Sequence, residues 1–184
     1  MRIRIATTED AEAIRDIYAP YVISTPISFE TEPPNVDYFQ QAIPERLRQY
    51  PWLVAESGGS VVGYAYAGRH QPRSAYRWSV DSSVYVRDSH FRQGIGSQLY
   101  ERLLAILQCQ GYRMVHAGIT LPNEASVRLH ESFGFRKVAV YPNVGYKLGA
   151  WRDVGWWSLD LMLDAAPETV PHEPVAFPDV GTSF

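Results

Sequence analysis

Apolar and polar positions along the chain fall into short runs whose period switches between two and about 3.6. Residues 2–6 alternate Arg and Ile, as a half-buried strand does. Thr8, Glu9 and Asp10 read as a helix start, with Ile14, Ile17 and Tyr18 on one face and Pro20 as the expected stop. A second helical region covers 36–49, interrupted by Pro44. Trp52–Ala55 and Val61–Tyr66 flank Gly58-Gly59, a hairpin signal. A long strand is expected from about Arg77 to Arg87, then a glycine-bearing turn, Gly94-Ile95-Gly96, then a helix whose Leu99, Leu103, Ile106 and Leu107 recur at helical spacing. A strand at Met114–Ile119, a short helix at Glu124–Phe133 and aromatic-rich strands to about Leu163 follow. This order predicts a mixed α/β domain, residues 1–164, built on a six- or seven-stranded sheet. Residues 165–184 carry four prolines and no periodicity, and read as an extended arm or disordered end.

Composition narrows the class. With 184 residues, 46% of them hydrophobic, the chain can close one core but is short for two. Seventeen Lys and Arg against twenty Asp and Glu leave a net charge of −3, so no basic field draws nucleic acid or an anionic membrane. A small molecule or a protein is the expected partner. The single cysteine, Cys109, has no intramolecular partner, and the five histidines show no ligand spacing, so no metal is expected. Neither a signal peptide nor a run of ~18 apolar residues is visible, so a cytoplasmic protein is expected.

The strongest chemical signal is Ser83-Val84-Tyr85-Val86 followed by Arg92-Gln93-Gly94-Ile95-Gly96-Ser97 and an amphipathic helix. Unpaired N–H groups at a helix start, with the helix dipole behind them, seat phosphate, and the glycines let the backbone come close. Glycines before a helix are also ordinary turn residues, so the signal alone is weak. A Walker loop is excluded because Gly96 is followed by Ser97 and Gln98, and the dinucleotide fingerprint because its third small residue is Leu99.

The same residues resemble the acetyl-CoA motif of the GNAT N-acetyltransferases. Asn123, Ser126, His130, Gly134 and Phe135 resemble the family's second element, at matched separation. Gly145-Tyr146-Lys147 and Trp151-Arg152-Asp153-Val154-Gly155-Trp156-Trp157 are similar to the phosphinothricin and methionine-sulfone branch, as are Ser28–Pro33 and Tyr50–Glu56. The likeness spans about residues 2–163. It implies a mostly antiparallel central sheet flanked by about four helices, with acetyl-CoA as cosubstrate. It further implies that Val84, Tyr85 and Val86 line the pantetheine arm, that Arg92, Gln93, Gly94, Ile95, Gly96 and Ser97 cradle the pyrophosphate, and that Asn123 binds near the thioester. Three positions depart from the common pattern: Phe91 fills a Gln/Arg slot, His130 a Tyr slot, and Asp81 the place of a longer Glu.

Acetylating an amine requires removing its proton and helping a thiolate leave. Read alone, Asp81 is a strand-end or bulge residue satisfying backbone groups, and His130 a helix residue packed on the sheet. The resemblance implies that Asp81 is the proton acceptor and His130 the donor to the thiolate. Phosphinothricin-like substrates carry oxyanions, for which Arg73, Tyr76 and Arg77 are candidate contacts with Phe29 as an apolar wall. His70, His90, His116, His172 and Cys109 read as surface or core. The expected function is detoxifying acetylation of a small amino-acid-like amine. A polyamine or protein N-terminus as acceptor, and a non-catalytic acyl-CoA sensor, are the alternatives. A homodimer is expected, since the branch pairs and the strands from Tyr141 to Trp157 offer surplus apolar surface.

Overall fold

The computed structural model describes residues 1–162 and 170–180, so the expected boundary at 164/165 lies outside the described residues. Strand β1 (Arg2–Ile5) leads through a short 3₁₀ turn into helix α1 (Ala11–Ser24), and α2 (Val36–Leu47) follows. Next come β2 (Trp52–Ser57), β3 (Ser60–Arg69), β4 (Ser79–Val86), α3 (Ile95–Cys109), β5 (Met114–Leu121), α4 (Glu124–Ser132), β6 (Arg136–Lys147) and β7 (Ala150–Asp160). The seven strands form one sheet in the order β1-β2-β3-β4-β5-β7-β6. Every neighbouring pair is antiparallel except β4 and β5, which are joined by the α3 crossover.

Helix α3 packs Leu99, Leu103, Ile106 and Leu107 onto one face of the sheet with Val80, Val115 and Ala117. The apolar stripes of α1 and α2 close the other face, where Ile14, Ile17, Phe39 and Ile43 meet Trp52, Val54 and Tyr64. The sheet thus separates two packed cores, and residues alternating along β4 face each in turn.

Helix α1 does not stop at Pro20 but runs four residues further, to Ser24. Pro20 removes one helical N–H, but it is exposed, as is Asp16 one turn back, so water can take the freed carbonyl. Burial of Ile17 and Val22 either side of it carries the helix through. The described part of the C-terminal stretch is an extended arm returned onto the domain. Phe177 enters the α3 core, Val175 and the buried Gln110 exchange hydrogen bonds of 2.8 Å, and Trp78 Nε1 donates to the His172 carbonyl at 2.8 Å.

Candidate active site

The site begins where the sheet comes apart. Strands β4 and β5 pair only over Ser79–Asp81 with Met114–His116, then splay. On its other edge β4 stays paired to β3 as far as Val86, so residues 82–85 turn backbone groups left without a β5 partner toward the gap. The gap is a narrow cleft of about 60 Å³, lined by Ser82–Tyr85, Ala117–Thr120, Tyr100, Asn123, Ser126 and His130. An extended, amide-bearing chain fits such an edge, because it supplies the missing ladder partners.

At the outer end of β4 the chain turns into α3. Gly94 caps the helix in the left-handed region (φ 75°) and Arg92 shares that region (φ 61°), which turns the helix start outward. Arg92, Gln93, Gly94 and Ser97 are exposed around it. Ile95 is different: its side chain is buried against Gly63, so only its backbone N–H is available to a phosphate. Val86 lies outside the cleft lining and its carbonyl accepts from Tyr21 OH at 2.6 Å. Asn123 caps α4 by accepting from Ser126 N at 3.2 Å, which leaves its amide N–H groups for the cleft.

His130 is buried in a hydrogen-bonded string. Its Nδ1 lies 2.7 Å from the Ser126 carbonyl and must donate there, so Nε2 accepts from Tyr100 OH, also at 2.7 Å. Tyr100 OH in turn lies 2.9 Å from Ser82 Oγ. Burial holds the imidazole below its ordinary pKa, only partly offset by the Ser126 carbonyl. In this state Nε2 carries no proton, so the direct donation to a thiolate implied by the resemblance is not what the resting site presents. The ring instead fixes Tyr100 at the cleft wall.

On the opposite face a chamber of about 530 Å³ opens beside the cleft, walled by Tyr18, Phe29, Tyr85, Tyr141 and Trp156. Its roof is the segment between α1 and α2, pinned by Tyr18 OH to Ser28 Oγ (2.6 Å) and by the buried Lys147 Nζ donating to the Ser28 carbonyl (2.6 Å). Phe29 lies so flat on β6 that a β-carbon at Gly145 would overlap its ring. Asp81, the last β4 residue paired to β5, points to this chamber's face of the sheet. Burial raises its pKa while a hydrogen bond from His70 opposes the rise, with Nδ1 to Oδ1 at 2.7 Å.

His70, read from sequence as surface or core, is therefore the hydrogen-bond partner of the candidate Asp81. The His116 ring stacks on His70 at 4.2 Å between centroids, and its Nδ1 meets Ser158 Oγ at 2.7 Å. Burial, then the neighbouring His70, lowers the His116 pKa to about 4. Of the expected substrate contacts, Phe29 lines the chamber, and Tyr76 reaches only the edge of the His70 ring. Arg73 is exposed, and Arg77 stacks on Trp78 and pairs with Glu173 of the C-terminal arm at 3.0 Å, so neither lines the chamber. Arg77 answers to the arm, which a local sequence reading does not place beside it.

An acetyltransferase (GNAT) domain model matches residues 3–156. The chain belongs to the GNAT acetyltransferase family. It is 44% identical over 170 residues to a phosphinothricin N-acetyltransferase of Streptomyces viridochromogenes, covering 92% of this chain and 93% of that one. It is 37% identical to an L-methionine sulfoximine/L-methionine sulfone acetyltransferase of Salmonella typhimurium, over 91% of this chain and 99% of the relative. The crystal structure of a GNAT superfamily phosphinothricin acetyltransferase from Sinorhizobium meliloti in complex with AcCoA superposes with a TM-score of 0.89 at 29% identity, covering 97% of this chain and 96% of that one. This GNAT chain is an acetyl-CoA-dependent N-acetyltransferase, and the unpaired β4 edge with the α3 N-terminus at its end fits a pantetheine arm and its pyrophosphate. Among the described residues, no group of three His, Cys, Asp or Glu is placed to hold a metal, and no helix is long and apolar enough to cross a membrane.

Proposed function

We propose that this GNAT enzyme acetylates the amino group of a small amino-acid analogue of the phosphinothricin or methionine sulfone type, a detoxifying step carried out in the cytoplasm. The carrying observation is the chamber itself. Its volume of about 530 Å³ suits one small molecule, its walls are aromatic, and the Tyr141 hydroxyl and the hydrogen-bonded Tyr18–Ser28 hydroxyl pair stand among them to bind a polar head. Among the described residues, Glu30 is the one charged residue lining it, whereas a polyamine would call for several carboxylates. The relatives' named substrates, phosphinothricin and methionine sulfone, point the same way.

In this reading acetyl-CoA lies in the cleft with Val84, Tyr85 and Asn123 along its arm, Val86 beside Gly96 where the arm leaves the cleft, and Arg92–Ser97 around its pyrophosphate. The amine enters from the chamber, and Asp81 organises removal of its proton, without a metal. The Ser82–Tyr100–His130 string holds the thioester end of the cleft polar. Thiol release from acetyl-CoA, measured with methionine sulfone and with spermidine, tests the assignment: the sulfone should support turnover and the polyamine should not.

The enzyme is further proposed to be a homodimer. Val138, Val140, Val144, Tyr146, Leu148 and Trp151 stand exposed together on the β6–β7 hairpin at the sheet's end, an apolar area that a second copy would cover. Light scattering should return twice the 20.9 kDa chain mass at micromolar concentration.

A further inference from the structure

His70 is tied to Asp81 across the β3–β4 pair, its Nδ1 2.7 Å from Oδ1. The residue follows directly on β3, whose register places Gly68 opposite Asp81, so the ring reaches back over the strand it has just left. Arg69 holds that loop by donating to the carbonyls of Gln71 and Pro72. The ring then lies on the chamber face, bonded to Asp81 of β4, stacked on His116 of β5 and set edge-on to Trp156 of β7 at 6.0 Å. Trp156 lines the chamber. The single hydrogen on a neutral imidazole goes to Nδ1 because the Asp81 carboxylate accepts there, and Nε2 is left as the nitrogen with a free lone pair.

We propose that His70 Nε2 is the base that takes the proton of the substrate amine, with Asp81 as the carboxylate that fixes the ring's tautomer and orientation. The arrangement has the logic of a carboxylate–imidazole pair in which the acid orients and the ring transfers protons. His116, neutral at pH 7 and held by Ser158, supports the ring's face without competing for the proton.

The step balances as follows. The substrate ammonium gives one proton to His70 Nε2, forming an imidazolium beside the Asp81 carboxylate. The freed nitrogen lone pair forms the C–N bond to the acetyl carbonyl carbon, and the C–S bond breaks with its electron pair going to sulfur. The second proton leaves the nitrogen as the amide forms. One of the two protons ends on the CoA thiol and the other in solvent, restoring neutral His70.

The inference rests on the amine-acetylation reading above, and two variants test it. His70→Gln keeps an N–H for Asp81 but offers no basic nitrogen, and His70→Ala empties the site. Both should lose about 100- to 10,000-fold in kcat, the range of lost general-base catalysis, with KM for acetyl-CoA within about twofold of wild type. Added imidazole should restore turnover to His70→Ala and not to His70→Gln, whose side chain fills the space. A kcat for His70→Gln within about threefold of wild type would overturn the proposal, as would a His70→Ala defect that imidazole leaves unchanged. Failure of the substrate reading looks different: wild type then turns over on another amine of the panel, and the same comparison is made there.

Discussion

Replacing Tyr100 by Phe removes one oxygen and nothing else, which makes its cost calculable. The hydroxyl is wholly buried and serves two neighbours, donating to His130 Nε2 at 2.7 Å and receiving Ser82 Oγ at 2.9 Å. Ser82 retains a second acceptor, the His116 carbonyl at 3.2 Å, so it loses little. His130 does not: Nδ1 is already committed to Ser126, the ring is 3% exposed, and Nε2 is left a buried acceptor with nothing to accept. An orphaned buried polar group costs about 1–3 kcal/mol, and no cavity larger than one oxygen adds to it. For a chain of this length each kcal/mol moves Tm by ~2–4 °C, so a fall of roughly 2–12 °C is expected. Urea denaturation with the slope held against wild type measures it. Combining Tyr100→Phe with His130→Phe should cost at least ~1 kcal/mol less than the two singles added, because the second change removes the orphan. A Tyr100→Phe variant within ~0.5 kcal/mol of wild type, or additive singles, would refute the tautomer assigned to His130.

The other expectations are shorter to state. Asp81→Asn should cut kcat by about 100- to 10,000-fold while sparing acetyl-CoA affinity, and the loss should shrink as pH rises because more amine arrives already neutral; a steady-state pH series reads it. Gly96→Val should raise KM for acetyl-CoA, since even a β-carbon there meets Leu129 Cδ2 at 3.4 Å and the rest of the side chain must turn toward the phosphate seat. Gly118→Val should raise KM for the amine and leave that for acetyl-CoA close to wild type, because a β-carbon at Gly118 sits 3.3 Å from the Trp156 ring on the chamber floor. His116, with a folded pKa of about 4 against ~6.5 unfolded, binds more protons unfolded, so stability is full above pH ~6.5 and drains by at most ~3 kcal/mol as pH falls toward 4. His116→Asn should flatten that limb of a Tm-against-pH curve, leaving the smaller slope due to His130, whose pKa is lowered in the same sense.

Local patterns made most of the fold legible. The Gly58-Gly59 hairpin, the α3 stripe and the strand–helix order through β5 and α4 were all readable because each is set by neighbours within a few residues. The helix stop at Pro20 was misread because the lost hydrogen bond falls on a solvent-facing side, which a sequence does not display without the packing of α1 on the sheet. The local structure of the candidate site was legible where a motif is contiguous, as in the glycine turn at Arg92–Ser97 and the helix start at Asn123. It was not legible where partners meet across strands. His70 and Asp81 stand 11 residues apart and meet only through the β3–β4 register. Ser82, Tyr100 and His130 come from three elements, and Arg77 is claimed by an arm whose return path carries no periodic signal.

The central claim, that the chamber selects a small amino-acid-like amine, is tested most directly by competition. Phosphinothricin, methionine sulfone, methionine sulfoximine, spermidine and a short peptide with a free N-terminus are mixed at equal concentration with limiting acetyl-CoA, and the acetylated products are counted by mass spectrometry. The account predicts that nearly all acetyl groups end on the three amino-acid analogues; acetyl groups found mainly on spermidine or the peptide would contradict it.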